Sequence, residues 1–384
     1  MSNRILTKIR LSLKNSVSLA FLGYSCVSCI EKYDFNVINQ VEGLVVEASI
    51  SDLSFAESLS WPSDGRYFKV KLNKTNDVDN QRDERVSQAE VKLRSKSGAE
   101  YTYTEDPLLP GEYFLRDEFF RAERDEEYQL EIILPDGQLF TSNWESLPSK
   151  SHPLGSVDYI ETSPNKYVYE AGERVVKSIR GIDVRMRVTD FSDSEKRFFR
   201  WTFDPFWTYA AALVADPASP AKQCYVTSDY YLDDFVLAEL KRGDYSQKLF
   251  FLETVSNWRL YKHFSTIIHQ EELSESYYQF WKDLEGQKDK GGLYDQPPFG
   301  LITNFTNTNG NWTVNGYFGI VSESASRWTF DPADLSYTIE DNLLQWCQEN
   351  AVFDPRLPPD QCFDCRSHTL GVAVNTPPLW WNKN

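Results

Sequence analysis

Short runs in which apolar and polar residues alternate recur along this sequence of 384 residues. The runs 68–72, 91–94 and 128–132 place every second residue on one apolar face, the period of a half-buried β-strand. Pro110-Gly111 and Asp136-Gly137 supply turn-forming residues beside these runs. Short strands separated by such turns predict an antiparallel β-sandwich, of the immunoglobulin-like or transthyretin-like type.

A stretch with two prolines at 148–154 has the composition of a linker and divides the chain into two parts. We predict a β-sandwich domain at 42–147 and a larger β-rich domain at 155–384. Alternation returns at 182–188, whereas 274–287 place aromatic and aliphatic side chains at helical spacing. The sequence therefore predicts a mainly β protein with one prominent helix near 274–287.

The first residues have the pattern of a lipoprotein export signal. A positively charged segment precedes the apolar run Val17–Leu22, which is far shorter than the roughly 20 residues that span a bilayer. Small residues precede Cys29, the site at which a lipoprotein signal peptidase would cleave, and Cys26 is the rival acceptor. An ordinary cleaved secretory signal is a further alternative. We predict a signal peptide at 1–28, a lipid on Cys29 and a polar tether at 29–41.

The expected location follows from the anchor and from the charge. Ile30, rather than aspartate, follows the acceptor cysteine, which favours the outer membrane, and the acidic Glu31 and Asp34 favour exposure at the cell surface. The formal net charge of −17 becomes more negative when 1–28 is removed, because that segment holds basic residues and no acidic one. An acidic surface disfavours nucleic acid and anionic headgroups, so we expect membrane contact through the lipid alone.

Four cysteines remain after the lipid site, namely Cys224, Cys347, Cys362 and Cys365. An even number in an exported protein predicts two disulfides, with three possible pairings. Two alternatives stay open at this point. Cys362 and Cys365 could join Cys347 and His368 in a zinc site, or they could form a redox pair.

Aromatic residues make up 15% of the chain, which is typical of a β-rich core and also of a surface that binds sugars or a partner protein. Four tryptophans are our candidate contacts for a partner or ligand, with a core position as the alternative for each: Trp201, Trp207, Trp380 and Trp381.

A catalytic constellation is not visible in the sequence. No nucleophile elbow, zinc-protease helix, phosphate loop or calcium loop occurs among its motifs. Glu271 and Glu272 are expected at the exposed start of the predicted helix, where acidic residues complement the helix dipole. We therefore expect a protein that is not an enzyme and has no cofactor or metal.

Several motifs, in this order and spacing, resemble one known family. They are Val188-Thr189-Asp190, Phe198-Phe199-Arg200-Trp201, 291–298, Asn304, Gly316-Tyr317-Phe318, Cys362-Phe363-Asp364-Cys365-Arg366 and Pro377-Pro378-Leu379-Trp380. Together they resemble the Bacteroidota outer-membrane lipoproteins of the domain-of-unknown-function family numbered forty-two forty-nine. That family has no assigned catalysis, and its members are commonly encoded beside TonB-dependent outer-membrane receptors.

The resemblance implies an accessory lipoprotein of a TonB-dependent transporter, in a substrate-capturing or lid-like role. A stand-alone carbohydrate-binding or hydrolytic surface lipoprotein is the alternative, and a structural or assembly role is a third. Fold and genomic neighbourhood alone do not decide between them.

Acylation at Cys29 is directly testable. Mass spectrometry of the mature N-terminal peptide should find a lipid on Cys29, because this cysteine follows the small residues that the signal peptidase requires. A Cys29→Ala variant should remain an unlipidated precursor, whereas Cys26→Ala should be processed normally. A lipid on Cys26, or an unmodified N terminus, would contradict the assignment.

Overall fold

The structure is a computed structural model that describes residues 43–60, 65–75, 84–229, 231–232, 235–288, 301–353, 359–378 and 380–381. The predicted signal peptide, Cys26, Cys29 and the tether lie outside the described residues, as does the motif at 291–298. Residues 42–384 form one compact unit.

The largest sheet of the described chain has ten strands in the order β21-β15-β14-β18-β20-β1-β2-β6-β5, with β16 also paired to β14. Its members are β1 (Gly43–Ser51), β2 (Lys69–Lys74), β5 (Thr104–Asp106), β6 (Leu109–Phe114), β14 (Arg197–Ala210), β15 (Gln223–Thr227), β16 (Val236–Leu240), β18 (Phe264–Leu273), β20 (Thr313–Phe330) and β21 (Val372–Val374). Because both of its faces receive other elements, this sheet carries the two hydrophobic cores of the unit.

The first core lies between part of the large sheet and a six-stranded sheet of order β19-β8-β7-β3-β4, with β9 beside β7. These strands are β3 (Glu90–Ser95), β4 (Glu100–Thr102), β7 (Glu127–Ile133), β8 (Leu139–Ser142), β9 (Glu145–Ser146) and β19 (Phe305–Asn307). The predicted alternation is realised here, since Val91, Leu93, Leu130 and Ile132 are completely buried.

The second core lies between β14 and β18 of the large sheet and a three-stranded sheet of order β10-β13-β17. These strands are β10 (Ser156–Thr162), β13 (Gly181–Phe191) and β17 (Gly243–Glu253). A separate hairpin is formed by β11 (Asn165–Glu170) and β12 (Glu173–Ser178), which pair only with each other in the described chain.

Helices are few in the described residues: α1 (Phe55–Ser60), α2 (Glu275–Lys288) and α3 (Leu343–Phe353), with 3-10 turns at Arg66–Phe68, Trp258–Leu260, Pro332–Asp334, Asp360–Cys362 and Cys365–Ser367. The helix predicted near 274–287 is α2, which begins after Ser274, whose Oγ accepts a hydrogen bond from the Tyr277 amide at 3.3 Å. Its apolar face packs on the first core through Tyr277 and Phe280. No described helix is long and apolar enough to cross a membrane.

The mainly β fold that the sequence predicts is confirmed. The predicted division between 42–147 and 155–384 does not coincide with a break in the sheets, because strands from both sides pair with each other. β8 pairs with β19, and β1 pairs with β20. Periodicity identifies individual strands, such as β7 and β13, but cannot reveal such distant partners.

The pairing of β1 with β20 is parallel and places Val46 opposite Gly316. A Cβ atom on Gly316 would lie 1.9 Å from the Val46 carbonyl oxygen, and the backbone of Gly316 has a φ of +118°. Only glycine satisfies both conditions without moving a strand.

A Gly316→Ala substitution should therefore destabilise the protein strongly. The matched control is Gly137→Ala, because Gly137 also has a positive φ of +88° but its Cβ would meet nothing within 4 Å. We expect the control to lose about 1–3 kcal/mol of unfolding free energy from backbone strain, and Gly316→Ala to lose clearly more. Urea unfolding of both variants measures this, and equal losses would show that the close strand approach is unimportant.

Candidate binding surfaces

A row of polar side chains lies on the central strand β18, which is buried along its whole length. His269, Gln270, Glu271 and Glu272 are each at most 2% exposed. The expectation that Glu271 and Glu272 lie at an exposed helix start is wrong, because β18 continues to Leu273 between β14 and β20. These acids are therefore internal charges that need partners.

On one face of β18, Glu271 is paired with Arg200 of β14. The Arg200 guanidinium donates two hydrogen bonds to the carboxylate, from Nε at 2.6 Å and from Nη2 at 2.7 Å. The ring of Trp281, on α2, lies 3.7 Å from the guanidinium carbon. This bidentate pair and the cation–π contact fasten α2 to the centre of the sheet.

On the opposite face, Glu272 holds the segment that the sequence identified as a linker. Its carboxylate oxygen lies 2.8 Å from His152 Nδ1, and burial raises the pKa of Glu272 while His152 opposes that shift. His152 also faces Asp193 at 3.4 Å, and Asp193 accepts hydrogen bonds from Lys150 and Arg197. Residues 150–152 are thus held by polar contacts with β18 and with the loop after β13.

Farther along the first face, the carboxylate of Asp204 contacts His269 and Arg66. Its carboxylate lies 2.8 Å from His269 Nε2 and accepts a hydrogen bond from Arg66 at 2.6 Å. Burial by itself raises the pKa of Asp204, but the hydrogen bonds and charges of His269 and Arg66 outweigh it and bring the pKa to about 2. Asp204 is consequently ionised at neutral pH.

Of the four tryptophans predicted as contacts, the structure brings two together near the surface. Trp380 and Trp381 are half-buried and pack on Phe206 at 4.8 and 5.5 Å between ring centres. The guanidinium carbon of Arg327 lies 3.5 Å from the Trp380 ring. This cluster leaves part of each indole accessible to another molecule.

The other two predicted contacts are internal. Trp201 and Trp207 are 0% exposed and belong to the second core. Their positions on β14 place them on the face that packs against the three-stranded sheet, so they cannot present a surface to a partner. For these two residues the core alternative is correct.

The four cysteines form two disulfides, Cys224–Cys365 and Cys347–Cys362. The zinc alternative is therefore wrong in this structure, since all four sulfur atoms are paired. The redox alternative is wrong as well, since Cys362 and Cys365 are bonded to other cysteines and not to each other. His368 packs on Tyr209 at 4.5 Å, and burial together with the charge of Arg259 lowers its pKa to about 4. In the described residues no group of three acidic, histidine or cysteine side chains is arranged to hold a metal.

A strongly exposed aromatic surface lies on the β11–β12 hairpin, which the sequence analysis did not identify. Tyr167, Tyr169 and Val176 are 66%, 80% and 57% exposed. The sequence signal that could have found it is Gly172 between two runs rich in tyrosine and valine. In the structure Ala171 and Gly172 both have positive φ, as a tight hairpin turn requires.

The two faces of this hairpin differ. Tyr167 lies opposite Val176 and Tyr169 opposite Arg174, so these four side chains share one face. The Arg174 guanidinium carbon lies 4.3 Å from the Tyr167 ring. Lys166 points from the other face to the ring of Phe251 on β17, at 4.5 Å. The tyrosine face is therefore the one that turns outward, and we call it the hairpin face.

The described residues define a class of protein: a mainly β unit with two cores, disulfides, internal ion pairs and an exposed aromatic hairpin. The chain belongs to the family described as Domain of unknown function (DUF4249), whose model matches residues 30–327. Comparison with curated proteins finds no significant match.

The Asp204 site makes a prediction about pH. A carboxyl with a pKa near 2 when folded and an ordinary value of 3.8 binds a proton more weakly in the folded state. Its stabilisation is present above pH 3.8 and is lost as the pH falls through about 2. Wild type should be more stable than Asp204→Asn at neutral pH, and the difference should shrink over that range.

Denaturant unfolding at several pH values measures this difference. Asp334→Asn is the control, because Asp334 is exposed, and its unfolding free energy should differ little from that of wild type at any of these pH values. A gap between wild type and Asp204→Asn that stays constant down to pH 2 would contradict the assigned ion pairs.

Proposed function

We propose that this chain is a non-enzymatic, lipid-anchored outer-membrane lipoprotein that is exposed at the cell surface. In this proposal it is the accessory, substrate-capturing partner of a TonB-dependent transporter. The export pattern that ends at Cys29 and the family membership support this assignment. The observation that carries it is the hairpin face.

The hairpin face has the composition of the centre of a protein interface. Tyrosine and arginine are the residues that most often dominate binding energy at such centres, and Tyr167, Tyr169 and Arg174 lie side by side on it. The two tyrosines are mostly exposed, so burying them against a partner would remove a large apolar area from water. Trp380 and Trp381 are weaker candidates, because both are already half-buried.

A lipid anchor makes modest contacts sufficient. An anchored protein and a membrane-embedded partner share a two-dimensional surface, which raises their effective concentration. A small hairpin face can then hold a transporter that it would bind only weakly in free solution.

The buried acids have a structural role that fits a non-enzymatic protein. Glu271 is saturated by Arg200, and Glu272 is held by His152, inside the sheet. The two carboxylates of a glycosidase must flank a bound substrate. Glu271 and Glu272 are almost completely buried, so we do not assign them that role. The stand-alone binding alternative is favoured instead by a separate cleft beside α1.

The proposal predicts that the protein co-purifies with a TonB-dependent outer-membrane protein after gentle detergent extraction. Tyr167→Ala and Tyr169→Ala should each weaken that complex by about 2 kcal/mol, or roughly thirtyfold in Kd, because they remove the centre of the contact. The measurement is affinity purification from native membranes with identification of the proteins that accompany the bait.

Phe119→Ala is the matched control, since Phe119 is an aromatic residue that is 88% exposed and lies in a different loop. The control should retain the transporter. If wild type elutes alone in several detergents, or if the tyrosine variants retain as much transporter as wild type, the proposed partnership is incorrect.

A further inference from the structure

A cleft of about 450 Å³ lies beside the first core, between α1, the turn after β3 and the loop before β7. Its volume is in the range of small-molecule sites. Aromatic residues line the cleft, among them Tyr101, Phe119 and Phe120. It is also lined by charged residues, which we call the rim: Glu57, Arg121, Glu123 and Glu126. We propose that this cleft binds a short segment of a neutral saccharide.

The aromatic residues that line the cleft are held in place by the core. Phe120 is buried and packs on Tyr101 at 4.4 Å and on Tyr128 at 5.9 Å between ring centres. The amides of Phe119 and Phe120 donate hydrogen bonds to the Asp117 carboxylate at 3.0 and 3.2 Å, which fixes the local turn. Phe119 is therefore an exposed ring on a fixed backbone, available to stack on the apolar face of a sugar ring.

The rim offers both donors and acceptors of hydrogen bonds. Hydrogen bonds from Ser54 lower the pKa of Glu57, and those from Ser97 lower the pKa of Glu126, so both carboxylates are acceptors at neutral pH. Burial raises the pKa of Tyr101, so its phenol remains a donor. Arg121 adds further donors.

An exposed aromatic ring beside donors and acceptors of hydrogen bonds is complementary to a sugar ring. A sugar ring has an apolar face and an edge of hydroxyl groups that both donate and accept. The charge of the rim narrows the class of sugar. Glu57, Glu123 and Glu126 outnumber the single Arg121 among the charged lining residues, so a uronic acid or a sulfated sugar would be repelled. A neutral oligosaccharide avoids that penalty.

This inference deepens the proposed function by naming the class of captured substrate, and it rests on that function only for the delivery of the ligand to a transporter. Binding itself needs no transporter. It is measured on the detergent-solubilised mature lipoprotein by titration calorimetry, with maltohexaose, xylohexaose, mannohexaose and tetra-N-acetylchitotetraose as probes.

We expect at least one probe to bind with a Kd of about 1 mM or lower. Phe119→Ala should weaken that binding about tenfold through loss of the stacking ring, and Tyr101→Phe should weaken it less through loss of one hydroxyl. Tyr169→Ala is the matched control for an exposed aromatic residue and should bind as wild type does. Phe119 is 88% exposed, so its removal should leave the unfolding midpoint unchanged.

Three outcomes would overturn the inference: no probe binds at millimolar concentration, Phe119→Ala binds as well as wild type, or spermine binds in preference to every sugar. The variants separate the saccharide cleft from the transporter partnership. Both proposals are supported if Phe119→Ala loses sugar binding but keeps the transporter, and Tyr169→Ala loses the transporter but keeps sugar binding. Either proposal can fail without the other.

Discussion

The long strand β20 joins the two cores, and the described sheets depend on it. Its first half, Thr313–Val321, pairs with β1 in parallel, and its second half, Ser322–Phe330, pairs with β18 in antiparallel fashion. One strand thereby connects the beginning of the described chain to its middle. Pairing between distant segments carries an entropic cost of loop closure, so it needs a close fit, which Gly316 allows.

The change of partner along β20 also explains where the buried charge lies. At this point Ser322 donates a hydrogen bond to Asp52 at 2.6 Å, and Glu323 lies opposite Glu271. Two acids placed side by side in a sheet interior would repel each other, and Arg200 on the next strand offsets that repulsion. The row of polar side chains on β18, 269–272, thus lies at the boundary between the two cores.

The candidate binding surfaces lie away from this boundary between the cores. The hairpin face stands on a two-stranded ribbon that pairs with no other described strand, and the cleft is bordered by a short helix, a turn and a loop. Both are attached to rigid elements by aromatic or cation–π contacts, Phe120 in one case and Lys166 in the other. A rigid scaffold with exposed loops is the usual arrangement for binding.

Local chemistry in the sequence was enough to determine the β class, because a period of two is a property of neighbouring residues. It also placed α2, through the helical spacing of its apolar residues. It also indicated that Cys224, Cys347, Cys362 and Cys365 would form disulfides, but not which cysteine pairs with which, since pairing depends on distance in space. Only the tertiary structure decided that Trp201 is internal while Tyr169 is exposed, and that Glu271 is buried rather than at a helix start. The physical reason is the same in each case: burial is set by partners far away in the chain, which no local pattern specifies.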